Sequence, residues 1–264
     1  MTKFATVLYL CFFLQQAIAA TATIATASNF KIAMNELTAI FETDHPHQLR
    51  QINASSGVLY NQISHGAPFD VLLAANSRYP SELENQGAGV TGSRFTYAEG
   101  NLVLVFSKTF SKNLAIPSPN LAVNLSTNTE QAFINALKTT LNGGGKVAIA
   151  NPDTAPYGIA AQQTLKQLRL WKDRQSQWVR GANIAQCFQF VATGNASLGL
   201  VALAQVQHTD LDYWRVPNHW HQPIRQQAIL LQSGQHNPAA LEFLAFLKTP
   251  KAKTIIRRHG YSAP

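Results

Sequence analysis

Thr23–Phe41, TIATASNFKIAMNELTAIF, reads as a strand that runs directly into a helix. Thr23 to Thr26 is short and rich in β-branched residues, as a buried strand is. From Phe30 the apolar period changes to steps of three and four. Phe30, Met34, Leu37 and Phe41 then share one helical face. Ser28 or Asn29 is the expected N-cap. The first-turn N–H groups beyond it have no intrahelical partner, and the helix dipole adds partial positive charge there. Such an end can hold an anion.

One junction of this kind is ordinary; here the pattern recurs. Asn53–Tyr60, NASSGVLY, sets Ser55 and Ser56 before a helical stretch with Val58, Leu59, Gln62 and Ile63. Asn151–Ala160, NPDTAPYGIA, follows the apolar run Val147–Ala150 and opens a long helical pattern. Gly181–Phe190, GANIAQCFQF, starts another helix. The chain reads as a set of helix N-termini that could gather round one negatively charged ligand.

The 264 residues allow a sizeable core and favour two lobes over one. Only 13% are charged and 46% are hydrophobic, which excludes a disordered chain. The net charge of +8 is spread along the sequence apart from a small cluster at Lys248–Arg258. No basic-aromatic stripe suggests nucleic acid. Met1–Ala20, MTKFATVLYLCFFLQQAIAA, has a positive start, an apolar run at Phe4–Leu14 and a small-residue box at Ala17-Ile18-Ala19. It is expected to be a cleavable secretory signal, too short in its apolar run to span a membrane. Cys11 follows the bulky Tyr9-Leu10, which argues against lipid attachment. Cys187 would then be the only thiol of the exported chain, leaving no internal disulfide.

Strand-like and helix-like pieces alternate, the signature of an α/β fold with largely parallel sheets. Gln51–Asn53 is a short candidate strand, and Gly66–Ala75 contains a buried one. Arg78–Gln86 is helical in pattern, with Gly87 as its C-cap. Phe95–Ser107 is long for one strand and reads as a crossing between lobes. Pro117–Thr129 reads as irregular and Glu130–Leu141 as a helix. The glycines at 143–145 read as a plain turn, since they lack the spacing of a phosphate loop. Leu198–Leu203 is another buried strand, Ile224–Leu231 an extended return crossing, and Pro238–Leu247 and Pro250–His259 are helical. The expected division is residues 21–98 with 228–264 as one discontinuous lobe and 99–227 as the other, with a ligand cleft between them.

Several segments in order carry a family resemblance: SNF (Ser28–Phe30), SSG (Ser55–Gly57), GAPFDV (Gly66–Val71), GSRFTYA (Gly92–Ala98), ANPDTAPYG (Ala150–Gly158), NIAQ (Asn183–Gln186), FVATGNASLGLVAL (Phe190–Leu203) and PIRQQAILL (Pro223–Leu231). Together they resemble the periplasmic molybdate-binding proteins of ABC transporters over nearly the whole exported chain. The resemblance implies a two-lobe class II periplasmic-binding-protein fold, each lobe a mixed, mostly parallel sheet flanked by helices. It also implies a monomer in the periplasm that serves a membrane permease.

The same resemblance implies the ligand set. Ser28 and Ser56 would donate hydroxyl and main-chain N–H, with Asn29 beside Ser28. Either Ser55 or Ser56 would be the main donor at the second helix start. Tyr157 and Ile184 would give backbone N–H. Some members add a tyrosine hydroxyl from the segment matching LGLVAL; here that position is Ala202. No cofactor is implied, and molybdate or tungstate would be cargo held without direct cation ligands. Both are unprotonated dianions whose oxygens only accept hydrogen bonds, so a site of donors suits them and a buried carboxylate would not. Asp153 is the only carboxylate in the segments that supply this ligand set (SNF, SSG, ANPDTAPYG and NIAQ) and is expected to cap its helix. Sulfate has the same hydrogen-bonding needs, so a sulfate or other oxyanion carrier is the alternative. A secreted serine hydrolase using Ser28 or Ser56 is a distant one, lacking a Gly-x-Ser-x-Gly elbow. His45-Pro46-His47 and His219-Trp220-His221 have metal-like spacing, but no Cys or carboxylate cluster completes a shell.

Overall fold

The strand that opens the fold buries both of its faces, which is why its residues are small or β-branched rather than alternately polar. β1 (Thr21–Ala27) places Ile24 in one apolar cluster and Ala25 in another on the opposite side. The computed structural model describes residues 19–113, 127–172 and 174–262. Residues 1–18 of the signal expected over Met1–Ala20, and residues 117–126 of the stretch Pro117–Thr129 expected to be irregular, lie outside the described residues; the last three residues of that stretch are helical instead, opening the helix Thr127–Asn142.

β1 leads through a 3₁₀ turn (Ser28–Phe30) into α1 (Lys31–Asp44). β2 (Gln48–Ala54), α2 (Ser56–Ser64), β3 (Val71–Ala74), α3 (Arg78–Asn85) and β4 (Phe95–Gly100) follow. The middle of the chain contains β5 (Leu102–Phe106), α4 (Lys108–Asn113), α5 (Thr127–Asn142), β6 (Val147–Ala150), α6 (Pro156–Gln167) and β7 (Trp178–Gly181). It continues with α7 (Ile184–Ala192), β8 (Leu198–Ala202), α8 (Leu203–Val206) and β9 (Tyr213–Arg215). β10 (Ile224–Leu230), α9 (Pro238–Leu247) and α10 (Pro250–Arg258) complete it.

The strands form two five-stranded mixed sheets of the same plan. The first has the order β2-β1-β3-β10-β4, and the second β7-β6-β8-β5-β9. In each, four strands run in one direction and one, β10 or β5, is antiparallel to both of its neighbours. The expected crossing Phe95–Ser107 is two strands: β4 belongs to the first sheet and β5 to the second, and the chain changes sheet at Asn101. It returns before β10, whose pairing with β4 begins at Ile224. The first sheet therefore takes strands from both ends of the described chain.

Helices cover both faces of the first sheet. α1, α9 and α10 bury Met34, Leu37, Phe41, Phe243 and Ile256 with Val71 and Leu73. On the other face α2 and α3 bury Leu59, Ile63 and Leu83 with Leu72 and Ala74. Adjacent residues of β3 thus serve opposite layers, as the two-residue period requires. The second sheet has its own core, built on β5, β6 and β8 with Phe133, Leu165 and Trp178. Gly158 lets the first turn of α6 lie against β6: a Cβ there would collide with the Ala150 carbonyl. Gly87, just past α3, has φ +75°, the left-handed conformation that ends a helix.

Candidate functional site

Five parallel strands end at one place. After β1, β2 and β3 of the first sheet, and after β6 and β7 of the second, the chain turns into loops or helix starts that face each other. They enclose a narrow cavity lined by Ser28, Asn29, Ser55, Ser56, Tyr157 and Ile184, with Ala27, Ala75, Ala155 and Pro156 as small wall residues. Its atom-free space, mouth included, is about 190 Å³. Only about 10 Å³ of that is open to the centre of a water molecule, which is room for one small species. All six sequence-selected residues are brought together, and all six are buried.

Each wall is a helix start with donors left over. α2 has Ser55 at its N-cap position, yet the Ser55 side chain caps nothing. Its Oγ is buried without a hydrogen-bond partner among the described residues, and so is Ser28 Oγ. Ser56 Oγ accepts from the Ala75 N–H at 2.9 Å, which ties the helix start to the end of β3 and leaves its own proton to donate. α6 begins with Pro156 at its first position, where a missing N–H costs nothing. The Tyr157 N–H follows in the first turn, with no intrahelical carbonyl to receive it. In α7 the Asn183 side chain takes the Gln186 N–H at 3.0 Å and the Gln186 side chain takes the Ala182 N–H at 2.7 Å. That reciprocal cap leaves the Ile184 N–H, in the first turn, without an intrahelical acceptor.

Two expectations are corrected here. Neither Ser28 nor Asn29 caps α1, because the entry is tightened into a 3₁₀ turn and Phe30 stands before the first α-helical residue. Asp153 does not cap α6 either. It is exposed, and Ala155 occupies the N-cap position with no side-chain bond. Among the described residues, no carboxylate and no Lys, Arg or His lines the cavity.

Behind the cavity lies a network that the sequence motifs did not single out. The Asn29 Nδ2 hydrogens go to Gln226 Oε1 at 2.9 Å and Tyr261 Oη at 3.1 Å. The Tyr261 hydroxyl donates back to the Asn29 carbonyl at 2.8 Å. Tyr97 Oη donates to Gln226 Oε1 at 3.1 Å, and Gln226 Nε2 reaches Tyr157 Oη at 3.4 Å. Asn29 therefore faces the cavity with main chain, its side-chain amide being engaged behind it. Burial pushes the Tyr97, Tyr157 and Tyr261 phenols above their ordinary range, so all three stay protonated. One signal for this hub was present. Gln226 shares a strand face with Ile224, Ala228 and Leu230, a polar residue at a buried apolar position.

Ala202 is fully buried on β8 and does not line the cavity, so β8 offers it no side-chain donor. His45 and His47 both meet Glu242, at 2.8 and 3.3 Å, and His221 Nδ1 meets the Gln222 carbonyl at 2.8 Å. None of the three cavity serines is hydrogen-bonded to a histidine among the described residues.

Comparison with known proteins agrees with this architecture. Residues 22–262 match the family model of bacterial extracellular solute-binding proteins. The chain is 42% identical over 249 residues to the molybdate-binding protein ModA of Azotobacter vinelandii, spanning 92% of this chain and 90% of that protein. It is 39% identical over 238 residues to ModA of Rhodobacter capsulatus, spanning 90% and 86%. The solved Azotobacter vinelandii periplasmic molybdate-binding protein superposes with a TM-score of 0.77 at 34% identity, over 92% of this chain and 99% of that one. The chain belongs to the bacterial extracellular solute-binding proteins, in the family of the ModA molybdate-binding proteins.

Proposed function

We propose that the cavity binds molybdate or tungstate, and that the protein carries the oxyanion through the periplasm, as a monomer, to the membrane permease of an ABC importer. No cofactor and no reaction of its own enter this role. The observation that carries it is the pair of buried, unpartnered hydroxyls of Ser28 and Ser55 in a cavity without carboxylates. A buried polar group without a partner costs about 1–3 kcal/mol. Two of them at one small cavity, beside the first-turn N–H groups of α6 and α7, form a site made for a species that only accepts hydrogen bonds.

The chemistry of the donor set narrows the ligand. Ser28, Ser55 and Ser56 hydroxyls with the Tyr157 and Ile184 N–H groups would converge on the ligand oxygens. Molybdate and tungstate carry no proton at neutral pH and need no acceptor. Phosphate usually carries one, and no lining carboxylate is there to take it. The helix dipoles of α2, α6 and α7 oppose the charge without a tight ion pair, so a bound dianion can still be released. We propose two lobes divided close to residues 21–98 with 228–264 and 99–227, with the whole of β4 and β10 kept in the first, and a cleft between them that opens to admit and release the ligand. Sulfate shares the hydrogen-bonding needs of molybdate, so cavity size alone would exclude it.

Parallel calorimetric titrations of the ligand-stripped protein with molybdate, tungstate, sulfate and phosphate test this. The expected result is tight one-to-one binding of molybdate and tungstate, sulfate far weaker, and no phosphate binding. Tight sulfate binding would make this a sulfate carrier. Absence of heat with all four would overturn the oxyanion function.

A further inference from the structure

Gly57 lies where the two halves of the molecule touch beside the cavity. It follows Ser55 and Ser56 at the start of α2, and its N–H donates at 2.8 Å to the carbonyl of Thr154, the residue before Ala155 and α6. One partner packs on the first sheet and the other on the second, so this backbone hydrogen bond joins the two halves directly. A Cβ on residue 57 would stand 2.8 Å from Thr154 O, 3.0 Å from Thr154 Cα and 2.7 Å from Tyr79 Oη. The first two contacts are with main chain. Thr154 cannot yield easily, because its turn is held by the Thr154 and Ala155 N–H groups on the Asn151 carbonyl, at 3.3 and 2.9 Å.

We infer that Gly57 against Thr154 is the stop that sets how far the cleft closes, and hence a determinant of the oxyanion size the site selects. This rests on the oxyanion function proposed above. The stop adjoins Ser55 and Ser56 on one wall and Ala155–Tyr157 on the other. Any change in its separation therefore passes straight to donors on both sides of the ligand. A side chain at residue 57 would hold the walls apart by several tenths of an ångström. A large tetrahedral anion spans such a gap better than a small one. The smaller ion would keep its bonds to one wall and lose those to the other.

The test uses the full exported chain as parent, Tyr79→Phe, and Gly57→Ala combined with Tyr79→Phe. The Tyr79→Phe background removes the side-chain contact that alanine would meet within its own half, leaving only Thr154. Molybdate affinity is measured by titration and sulfate affinity by competition against molybdate. Unfolding midpoints are recorded without ligand. We expect Tyr79→Phe to bind as the parent does. The double variant should bind molybdate about tenfold more weakly, the scale of one charge-assisted hydrogen bond, and sulfate should weaken by a larger factor. Its unliganded midpoint should not fall, since alanine is the better helix residue. Unchanged affinities would overturn the stop. Equal losses for both anions would overturn its role in selectivity. A midpoint that drops with affinity would show a merely structural glycine. A parent that binds neither anion would refute the functional reading, and this inference with it, before any variant is made.

Discussion

Removing the hydroxyl of Ser28 or Ser55 should weaken ligand binding and, at the same time, strengthen the unliganded protein. Both Oγ atoms are buried with no hydrogen-bond partner among the described residues. With a dianion bound, each would donate a charge-assisted hydrogen bond, whose loss costs about 1.5–3 kcal/mol. At about 1.4 kcal/mol per factor of ten, Ser28→Ala and Ser55→Ala should each raise Kd by roughly 10- to 100-fold. Without ligand the same atoms are unsatisfied in the closed form, so alanine removes a penalty of about 1–3 kcal/mol there. Ser56→Ala provides the contrast. Its Oγ accepts the Ala75 N–H at 2.9 Å, and Ala75 is buried, so this variant loses affinity and also orphans a backbone donor. It should lower the unliganded unfolding midpoint where the other two do not. Titration calorimetry with molybdate and thermal unfolding with and without ligand read both quantities. Unchanged affinity in Ser28→Ala and Ser55→Ala would refute the donor assignment. A lowered unliganded midpoint in both would show that these hydroxyls are satisfied in the unliganded protein. The double variant need not be additive, since both groups would touch one ion.

Among the described residues none that lines the cavity titrates near neutrality, and the Tyr157 phenol is held protonated by burial, so molybdate affinity should be flat from about pH 6 to about pH 9. A pronounced dependence in that window would place an unrecognised ionisable group at the ligand. Folding stability should instead fall at high pH. Tyr97, Tyr157 and Tyr261 keep their protons in the folded state while the unfolded chain loses them above about pH 10, so each contributes a decline of about 1.4 kcal/mol per pH unit there. Tyr157→Phe should reduce that slope by one tyrosine's share and change molybdate affinity by less than about threefold, because its contact with Gln226 is long and its proposed ligand donor is main chain. Cys187 is fully buried and burial pushes its thiol well above the ordinary range, so a thiol reagent should label it only on unfolding; fast labelling of the native protein would contradict its placement.

Much of the site was legible because it is local. Ser28, Ser55, Ser56, Tyr157 and Ile184 each sit where a strand pattern gives way to a helix pattern, and such a junction is written in a few consecutive residues. The α/β alternation, the crossings near Phe95–Ser107 and Ile224–Leu231, and the helices α9 and α10 were readable for the same reason. Phe95–Ser107 read as a crossing because it is too long for one strand, and the structure divides it at Asn101 into β4 and β5, one in each sheet.

The rest depended on which distant residues meet. Asn29 and Gln226 are 197 positions apart, Asn29 and Tyr261 are 232 apart, and only the folded chain shows that the Asn29 amide is spent on them rather than turned to the cavity. The same holds for the Gly57–Thr154 contact, which arises when two separately folded helix starts approach. Sequence alone determined the alternation of strands and helices and the donor chemistry of their junctions, because periodicity and capping act over a turn or two of chain. Tertiary structure decided which junctions converge, which hydroxyls remain unpartnered and how wide the cavity between them is, because those follow from how the two halves meet beyond the ends of their strands.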